Sequence, residues 1–402
     1  MIGNLGSVAC PYCYERINRF RLGYLCTGRG VPGRRGCQKA IDPVRVEQAS
    51  VAEASRHYFT YQGRRPVHPD AAGCPECGGE SGIRACPDCH SPLPSGFAGA
   101  ASPLVALVGA RNTGKSVYLA VLTHELQSTV RKRFDAAVRL AGDRQGGETS
   151  PGNWVNTYVD GLYQRHRLPP QTSQIRGRHR DPLVIEWRQE RRSAGRSRLR
   201  TSFLSFYDTA GEDFRSLDQV YELDYLASAD ALIVMLDPFT IGSARDRIDL
   251  PPQAVRTQDS PIDVLSRVTG SLKASHKIKN SKRIDLPLAV AITKIDAFFD
   301  VLGPDHPVVR APVAGNVYDD CAGADLHEHL RALVHDWDAD GPDSYLGAQY
   351  NNFRYFAVSS LGAQPDYSRD EVDPGGIRPH QVEEPLVWLL AELGVVPRTG
   401  RP

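Results

Sequence analysis

The sequence predicts an α/β protein built in three layers around a mostly parallel six-stranded sheet, with a small cysteine-rich region in front of it. Two observations predict this. Short apolar runs alternate with segments of helical pattern after residue 98, and eight of the nine cysteines lie before residue 90. Buried parallel strands are nearly continuous apolar runs joined by helices, and a cysteine-rich stretch this short needs metal to stabilise it.

The predicted domains are residues 1–97, the cysteine-rich region, and residues 98–402, the α/β domain. The six predicted strands are Pro103–Val108, Leu183–Trp187, Phe203–Tyr207, Ala231–Leu236, Leu286–Ile292 and Phe353–Val358. Lys115–Arg131 and Gln381–Leu393 have a helical pattern between or after these runs. Residues 141–181 and 238–285 are polar with little periodicity, so we expect mobile loops there.

The composition argues against a nucleic-acid or membrane protein. The 402 residues carry a formal net charge of +1, so no bulk attraction to a polyanion is expected. No apolar run approaches the ~20 residues that span a bilayer, and the N-terminus lacks a signal-peptide pattern. We therefore expect a cytoplasmic protein, in which paired cysteines are metal ligands rather than disulfides.

A glycine-rich loop follows the first apolar run directly. Gly109-Ala-Arg-Asn-Thr-Gly114-Lys115-Ser116 fits the phosphate-binding pattern GxxxxGK[ST] between a strand and a helix. Its backbone N–H groups and the following helix N-terminus would hold phosphates, Lys115 would neutralise them, and Ser116 would ligate Mg²⁺. The motif predicts a P-loop NTPase fold. The predicted phosphate-side residues are Gly109, Asn112, Thr113, Gly114, Lys115, Ser116 and Val117.

Three more motifs follow in order, each at the end of an apolar run. Asp208 begins DTAG, where it would hold Mg²⁺ through water while the Gly211 N–H meets the γ-phosphate. The run before Thr293-Lys294-Ile-Asp296 ends in a carboxylate that can accept two hydrogen bonds from guanine, whereas adenine offers no such pair of donors. The small-residue loop Ser359-Ser360-Leu361 could meet the guanine oxygen.

Several assignments in this site stay open. Thr172 is the predicted switch threonine and Mg²⁺ ligand, with Thr149 and Thr157 as rivals. Glu212 stands where the Ras-like GTPases that these motifs resemble place a glutamine that orients the attacking water, so it acts differently or a partner completes the site. Asn112 either binds K⁺ beside the phosphates or is a loop asparagine with special backbone angles.

The cysteines predict two structural zinc sites. Cys74-Pro-Glu-Cys77 and Cys86-Pro-Asp-Cys89 are two CxxC knuckles of zinc-ribbon type, which predict one tetrahedral site of four thiolates. Cys10, Cys13, Cys26 and Cys37 predict a second site with less regular spacing. An interleaved pairing, with the first knuckle joining the second pair, remains open. Four thiolates fill the coordination positions of a zinc ion, which indicates structural rather than catalytic zinc. The cysteine-rich region would bind a partner, and a protein partner is favoured over nucleic acid.

Residues 176–200 contain nine arginines against three acidic residues. This stretch could contact an acidic partner or nucleic acid, but charge runs are usually solvated, so a solvent-exposed hairpin is the favoured interpretation.

Together the cysteine knuckles, GARNTGKS, DTAGED and TKID resemble Ras-like, translation-factor-type GTPases, and among them bacterial double-GTPase proteins. That resemblance implies a switch that hydrolyses GTP slowly to GDP and works with a second GTPase or a GTPase-associated protein in defence or signalling. In that mechanism Lys115, Thr172, Gly211 and Glu212 would act in catalysis. The alternative is a zinc-scaffolded adaptor whose P-loop domain binds nucleotide and hydrolyses none.

Overall fold

The computed structural model describes residues 6–49, 52–110, 112–141, 151–169, 182–193, 196–208, 225–255, 259–310, 315–337 and 339–400. Its centre is a seven-stranded sheet. The strands are β8 (Leu104–Gly109), β9 (Ala136–Ala141), β10 (Leu183–Ser193), β11 (Arg196–Asp208), β12 (Ala231–Leu236), β13 (Leu288–Ile292) and β15 (Phe353–Ala357). They lie side by side in the order β15-β13-β12-β8-β11-β10-β9.

Six of these strands run in the same direction, and β10 runs opposite to them. β8 pairs in parallel with β11 and β12, and β13 pairs in parallel with β12 and β15. β10 pairs antiparallel with both β11 and β9. The mostly parallel α/β sheet is therefore confirmed, but the predicted count of six strands was wrong because β9 was not foreseen.

Helices cover both faces of the sheet. Successive side chains of a strand point to opposite faces, so the apolar strands expose apolar side chains on both faces, and the helices bury them. On β8, Leu104 and Ala106 belong to one core cluster, while Val105 and Leu107 belong to the other. Pro261–Ser275, Asp320–Asp336 and Asp340–Gln349 pack on the first face. Lys115–Glu125, Pro151–Tyr163 and Glu384–Glu392 pack on the second. Shorter helices are Arg131–Arg133, Gly242–Arg245 and Phe299–Leu302, and a π-helical turn spans Leu126–Val130.

Two of these helices correct the expectation of loops at 141–181 and 238–285. Pro261–Ser275 begins with Ser260, whose hydroxyl accepts a hydrogen bond from the Asp263 N–H, and with proline in the first turn. Val264, Val268 and Leu272 of this helix are buried at helical spacing. Pro151–Tyr163 likewise contributes the buried side chains Val155 and Leu162.

The cysteine-rich region consists of short strands and one helix. Its strands are β1 (Ser7–Ala9), β2 (Arg16–Asn18), β3 (Gly23–Leu25), β4 (Tyr58–Phe59), β5 (Ala72–Gly73), β6 (Glu80–Ser81) and β7 (Arg84–Ala85), and its helix is Pro43–Ala49. β3 pairs antiparallel with β4 and β7. Near the C-terminus, β14 (Tyr318–Asp319) pairs with β16 (Arg398–Thr399). No helix within the described parts of the chain is long and apolar enough to cross a membrane.

Candidate functional site

The eight N-terminal cysteines form two groups of four thiols. One group, here called the inner cluster, is Cys10, Cys13, Cys86 and Cys89. The other, the outer cluster, is Cys26, Cys37, Cys74 and Cys77. The favoured pairing of the CPEC knuckle with the CPDC knuckle was therefore wrong. The structure interleaves the chain instead, so that the first knuckle joins the last.

The geometry of both clusters fits a tetrahedral zinc ion. The Cys10 and Cys89 sulfurs are 3.8 Å apart, as are those of Cys13 and Cys86. In the outer cluster the distances are 3.4 Å from Cys26 to Cys77 and 3.7 Å from Cys37 to Cys74. Zn–S bonds of ~2.3 Å give a tetrahedron with edges of about 3.8 Å, whereas a disulfide would bring two sulfurs to about 2.05 Å. Both groups could hold structural zinc.

Each CPxC sequence forms a tight turn that aims two sulfurs at the same point. The backbone N–H groups of Tyr14, Gly78 and His90 donate to the carbonyls of the first cysteines of their knuckles. These three residues share a left-handed backbone, with φ of 63°, 74° and 56°. Further N–H groups donate to sulfur, such as that of Tyr12 to Cys10 Sγ at 3.4 Å.

The electrostatics of the thiols also favour a bound cation. Burial raises the pKa of Cys10 well above its ordinary value, so an uncompensated thiolate is disfavoured there. The Gly79 backbone N–H instead lowers the pKa of Cys77 to about 6. A zinc ion supplies the positive charge that lets all four sulfurs of a cluster ionise. His90 is not a ligand, because its Nδ1 lies 2.9 Å from Asp42 Oδ2 and its ring stacks on Tyr58.

The inner cluster is built into the sheet. Cys10, Cys86 and Cys89 share a buried core with Val184 of β10 and Phe203 of β11. Beside the knuckle, the Tyr14 ring meets Tyr225 edge-on at 5.3 Å, and Ser228 Oγ donates to the Tyr14 carbonyl at 2.5 Å.

Tyr225 carries this contact into the middle of the sheet. Its hydroxyl donates to the Val105 carbonyl at 2.8 Å and accepts from the Leu107 N–H at 3.2 Å, both on β8. Close by, Arg16 pairs with Asp230 at 2.9 Å, and Asp230 accepts from the Leu104 N–H at 3.0 Å. The cysteine-rich region is thereby fastened to the central strand that leads into the glycine-rich loop.

The glycine-rich loop lies between β8 and helix Lys115–Glu125. Gly114 has a φ of 88° and Asn112 a φ of 62°. A Cβ on Gly109 would lie 2.9 Å from Thr113 Oγ1 and 3.0 Å from the Met235 carbonyl, so glycine is required there. Lys115 is buried and donates from Nζ to the carbonyls of Gly109 (2.7 Å) and Ala110 (2.8 Å). Ser116 and Val117 follow in the first helical turn.

The second half of the predicted site lies at the same edge of the sheet, because parallel strands end on the same side. Thr293, Lys294 and Asp296 follow β13, and Ser359, Ser360 and Leu361 follow β15. Thr293 Oγ1 donates to the Leu236 carbonyl at 3.1 Å. Burial raises the pKa of Asp296, and a hydrogen bond from Ser359 partly opposes this.

Two residues near Lys294 were missed in the sequence. Its Nζ lies 2.5 Å from Asp237 Oδ2 and 4.7 Å from the centre of the Phe239 ring. Asp237 is buried and directly follows the apolar strand β12. A carboxylate at the end of a buried run was the signal that could have identified it.

Most of the predicted catalytic and Mg²⁺ residues lie outside the described residues. These are Thr172 with its rival Thr149, Gly211 and Glu212. Asp208 ends β11, but its side chain is not described. Thr157 lies within a helix, where its hydroxyl donates to the Asn153 carbonyl. The predicted Mg²⁺ and K⁺ sites therefore gain no support.

Comparison with known proteins changes the functional conclusion. No protein-family model matches the chain. The chain is 28% identical over 422 residues to a protein of Mycolicibacterium smegmatis (strain ATCC 700084 / mc(2)155) described as "Putative ESX-1 scaffolding and assembly protein SaeC". The match covers 96% of this chain and 99% of that protein.

That match contradicts the predicted GTP-hydrolysing switch, the predicted resemblance to double-GTPase proteins and the assignment as an enzyme. The relative is described as a scaffolding and assembly protein, and the match covers nearly the whole length of both chains. The short motifs misled because each is a few residues long and describes a local loop, whereas the match to the relative covers 96% of this chain.

Proposed function

We propose that this chain is a zinc-stabilised scaffolding and assembly protein whose α/β domain binds a nucleotide without hydrolysing it. The observation that carries the proposal is the extent of the match to the scaffolding relative, 96% of this chain and 99% of the other. Because both regions take part in that match, the cysteine-rich region, 1–97, and the α/β domain, 98–402, would form one scaffold. Cysteines that serve as zinc ligands rather than as disulfides suit a reducing cytoplasm.

The packing of the inner cluster supports a scaffold role. Four thiolates around zinc leave no open coordination position, so such a site stabilises structure rather than catalyses. Here the inner cluster joins the cysteine-rich region to the sheet through Phe203 and the Tyr14–Tyr225 contact. Two regions joined in this way could each bind a different partner.

The sheet edge supports nucleotide binding of the P-loop class. Gly109, Gly114 and Lys115 are placed between a strand and a helix N-terminus, which is the geometry that attracts phosphates. Asp296 and Ser359 lie together at the ends of neighbouring strands, where a guanine could be read. Bound nucleotide would stabilise the folded α/β domain, because a ligand that binds only the folded state shifts the equilibrium toward that state.

Two measurements on the full-length zinc-loaded protein test the nucleotide half. Calorimetry should show GTP and GDP binding, lost in Lys115→Ala but kept in Lys132→Ala, which removes an exposed lysine beyond the same helix. A multi-turnover phosphate-release assay should give no release above buffer. Sustained release that Lys115→Ala abolishes would make the protein an enzyme.

The scaffold half is tested in the native cells. Proteins that co-elute with the tagged chain on size exclusion should no longer elute together when the gene is deleted, and the wild-type gene should restore their complex. If the remaining proteins still elute together without the chain, the scaffold role is refuted.

A further inference from the structure

The antiparallel end of the sheet extends as a two-stranded ribbon beyond its neighbours. β10 and β11 pair as far as Ser193 and Arg196. β9 supports β10 only up to Gln189, and β8 pairs with β11 only from Ser205 onward. Residues 190–193 and 196–201 are here called the arginine ribbon. A two-stranded ribbon gains little stability alone, so its length needs another explanation.

One face of the ribbon gathers three arginines. Arg191 and Arg198 are directly opposite each other in the pairing register, and Arg200 lies two residues along on the same face. Arg198 and Arg200 are exposed. Burial lowers the pKa of Arg191, and the charge of Arg200 adds to that effect. Like charges opposite each other destabilise a strand pair.

Several other arginines have carboxylate partners. Glu186 pairs with both Arg139 and Arg188, and Asp320 pairs with Arg398. Among the described residues no carboxylate pairs with Arg191, Arg198 or Arg200; the Arg191 guanidinium instead donates to the Val395 carbonyl. The opposite face of the ribbon carries Glu190 and Leu199, and Leu199 is 66% exposed.

We propose that the arginine ribbon is the docking surface for an extended acidic segment of a partner protein. Beyond Gln189 no described strand pairs with the outer edge of β10. A strand laid along that edge would present alternate side chains to the arginine face. Carboxylates at every second position would then meet the guanidinium groups, which bind carboxylates in a fork geometry. This surface rests on the proposed scaffold function, since it supplies the contact that a scaffold requires.

The test uses full-length protein and a fluorescent peptide in which glutamate alternates with threonine. The wild type should bind it, and R198E/R200E should weaken binding by at least about tenfold, as two charge-assisted contacts become repulsive. R64E/R65E is the matched control, because it reverses two exposed charges in the cysteine-rich region and should change affinity less than about threefold. R198K/R200K should retain most of the binding.

Two further probes identify the partner class. A glutamine–threonine peptide should not bind, and single-stranded RNA should bind more weakly than the acidic peptide. Equal peptide affinity of R198E/R200E and R64E/R65E would overturn the proposal, as would RNA binding more tightly through the same arginines. R198Q and R200Q give the same answer if the double reversal does not fold. If the cellular complex stays intact with R198E/R200E, the arginine ribbon is not the docking surface, whereas the proposed scaffold function is unaffected.

Discussion

The inner and outer cysteine clusters have the same ligands but different surroundings. The inner cluster lies in a core that includes two strands of the central sheet. The outer cluster lies in a small core of its own region, with Tyr24, Phe59 and Ala72. The same ligand set would therefore serve two purposes when it holds zinc. A zinc ion in the inner cluster would join two parts of the chain, whereas one in the outer cluster would hold together loops too short to form a core.

The four tryptophans provide a means of testing this difference. Trp154, Trp187, Trp337 and Trp388 all lie after residue 98, and the last three are almost fully buried. Their fluorescence therefore reports unfolding of the α/β part alone. Zinc content reports both clusters.

The largest expected effect is that of Cys89→Ser in the inner cluster. Zinc content should fall from two ions per chain to one, and the tryptophan-detected free energy of unfolding should drop by on the order of 5 kcal/mol, because zinc binding is itself folding free energy. Urea titration followed by fluorescence measures this. An unchanged midpoint after loss of the zinc would mean that the inner cluster does not stabilise the sheet.

Cys77→Ser in the outer cluster is the matched comparison. It should also remove one zinc, but the tryptophan-detected stability should change by less than about 1 kcal/mol, because the disturbed contacts are local. Hydrogen exchange should rise between residues 23 and 81. A shift as large as that of Cys89→Ser would show that the two clusters unfold as one unit.

Tyr225→Phe tests the link between the inner cluster and the sheet. Removing the hydroxyl that serves two backbone groups of β8 should cost about 1–2 kcal/mol. Tyr118→Phe is the control, since the buried Tyr118 hydroxyl has no hydrogen-bond partner among the residues that the structure describes and its loss should not destabilise. Equal losses in the two variants would argue against a specific role for the Tyr225 bridge.

The smallest effect is expected from Arg16→Ala. Its ion pair with Asp230 is partly exposed, with side-chain exposures of 45% and 28%, so its removal should cost less than about 1 kcal/mol. Arg310→Ala breaks a pair that is far more exposed and should have no measurable effect. A larger loss for Arg16→Ala, measured by urea titration, would place more of the coupling in this ion pair.

Local patterns predicted the elements whose signal lies within a few residues. Continuous apolar runs located β8, β12, β13 and β15 because buried parallel strands need no alternation. β9 was missed because it is an edge strand rich in alanine, in which only Val138 and Leu140 provide large apolar side chains toward the core. The helix at Pro261–Ser275 did carry helical spacing, but the polar residues between its apolar positions obscured the pattern.

By itself the sequence determined the sheet class, the glycine-rich loop and which eight cysteines cluster, because strand burial, positive φ angles and CxxC turns are local properties. Only the tertiary structure decided how the knuckles pair. The lengths of chain between the cysteines permit several pairings of the knuckles, and the choice depends on where the first and last knuckles contact the sheet. It likewise placed Asp237 against Lys294, since that contact depends on two strands, β12 and β13, that are distant in sequence.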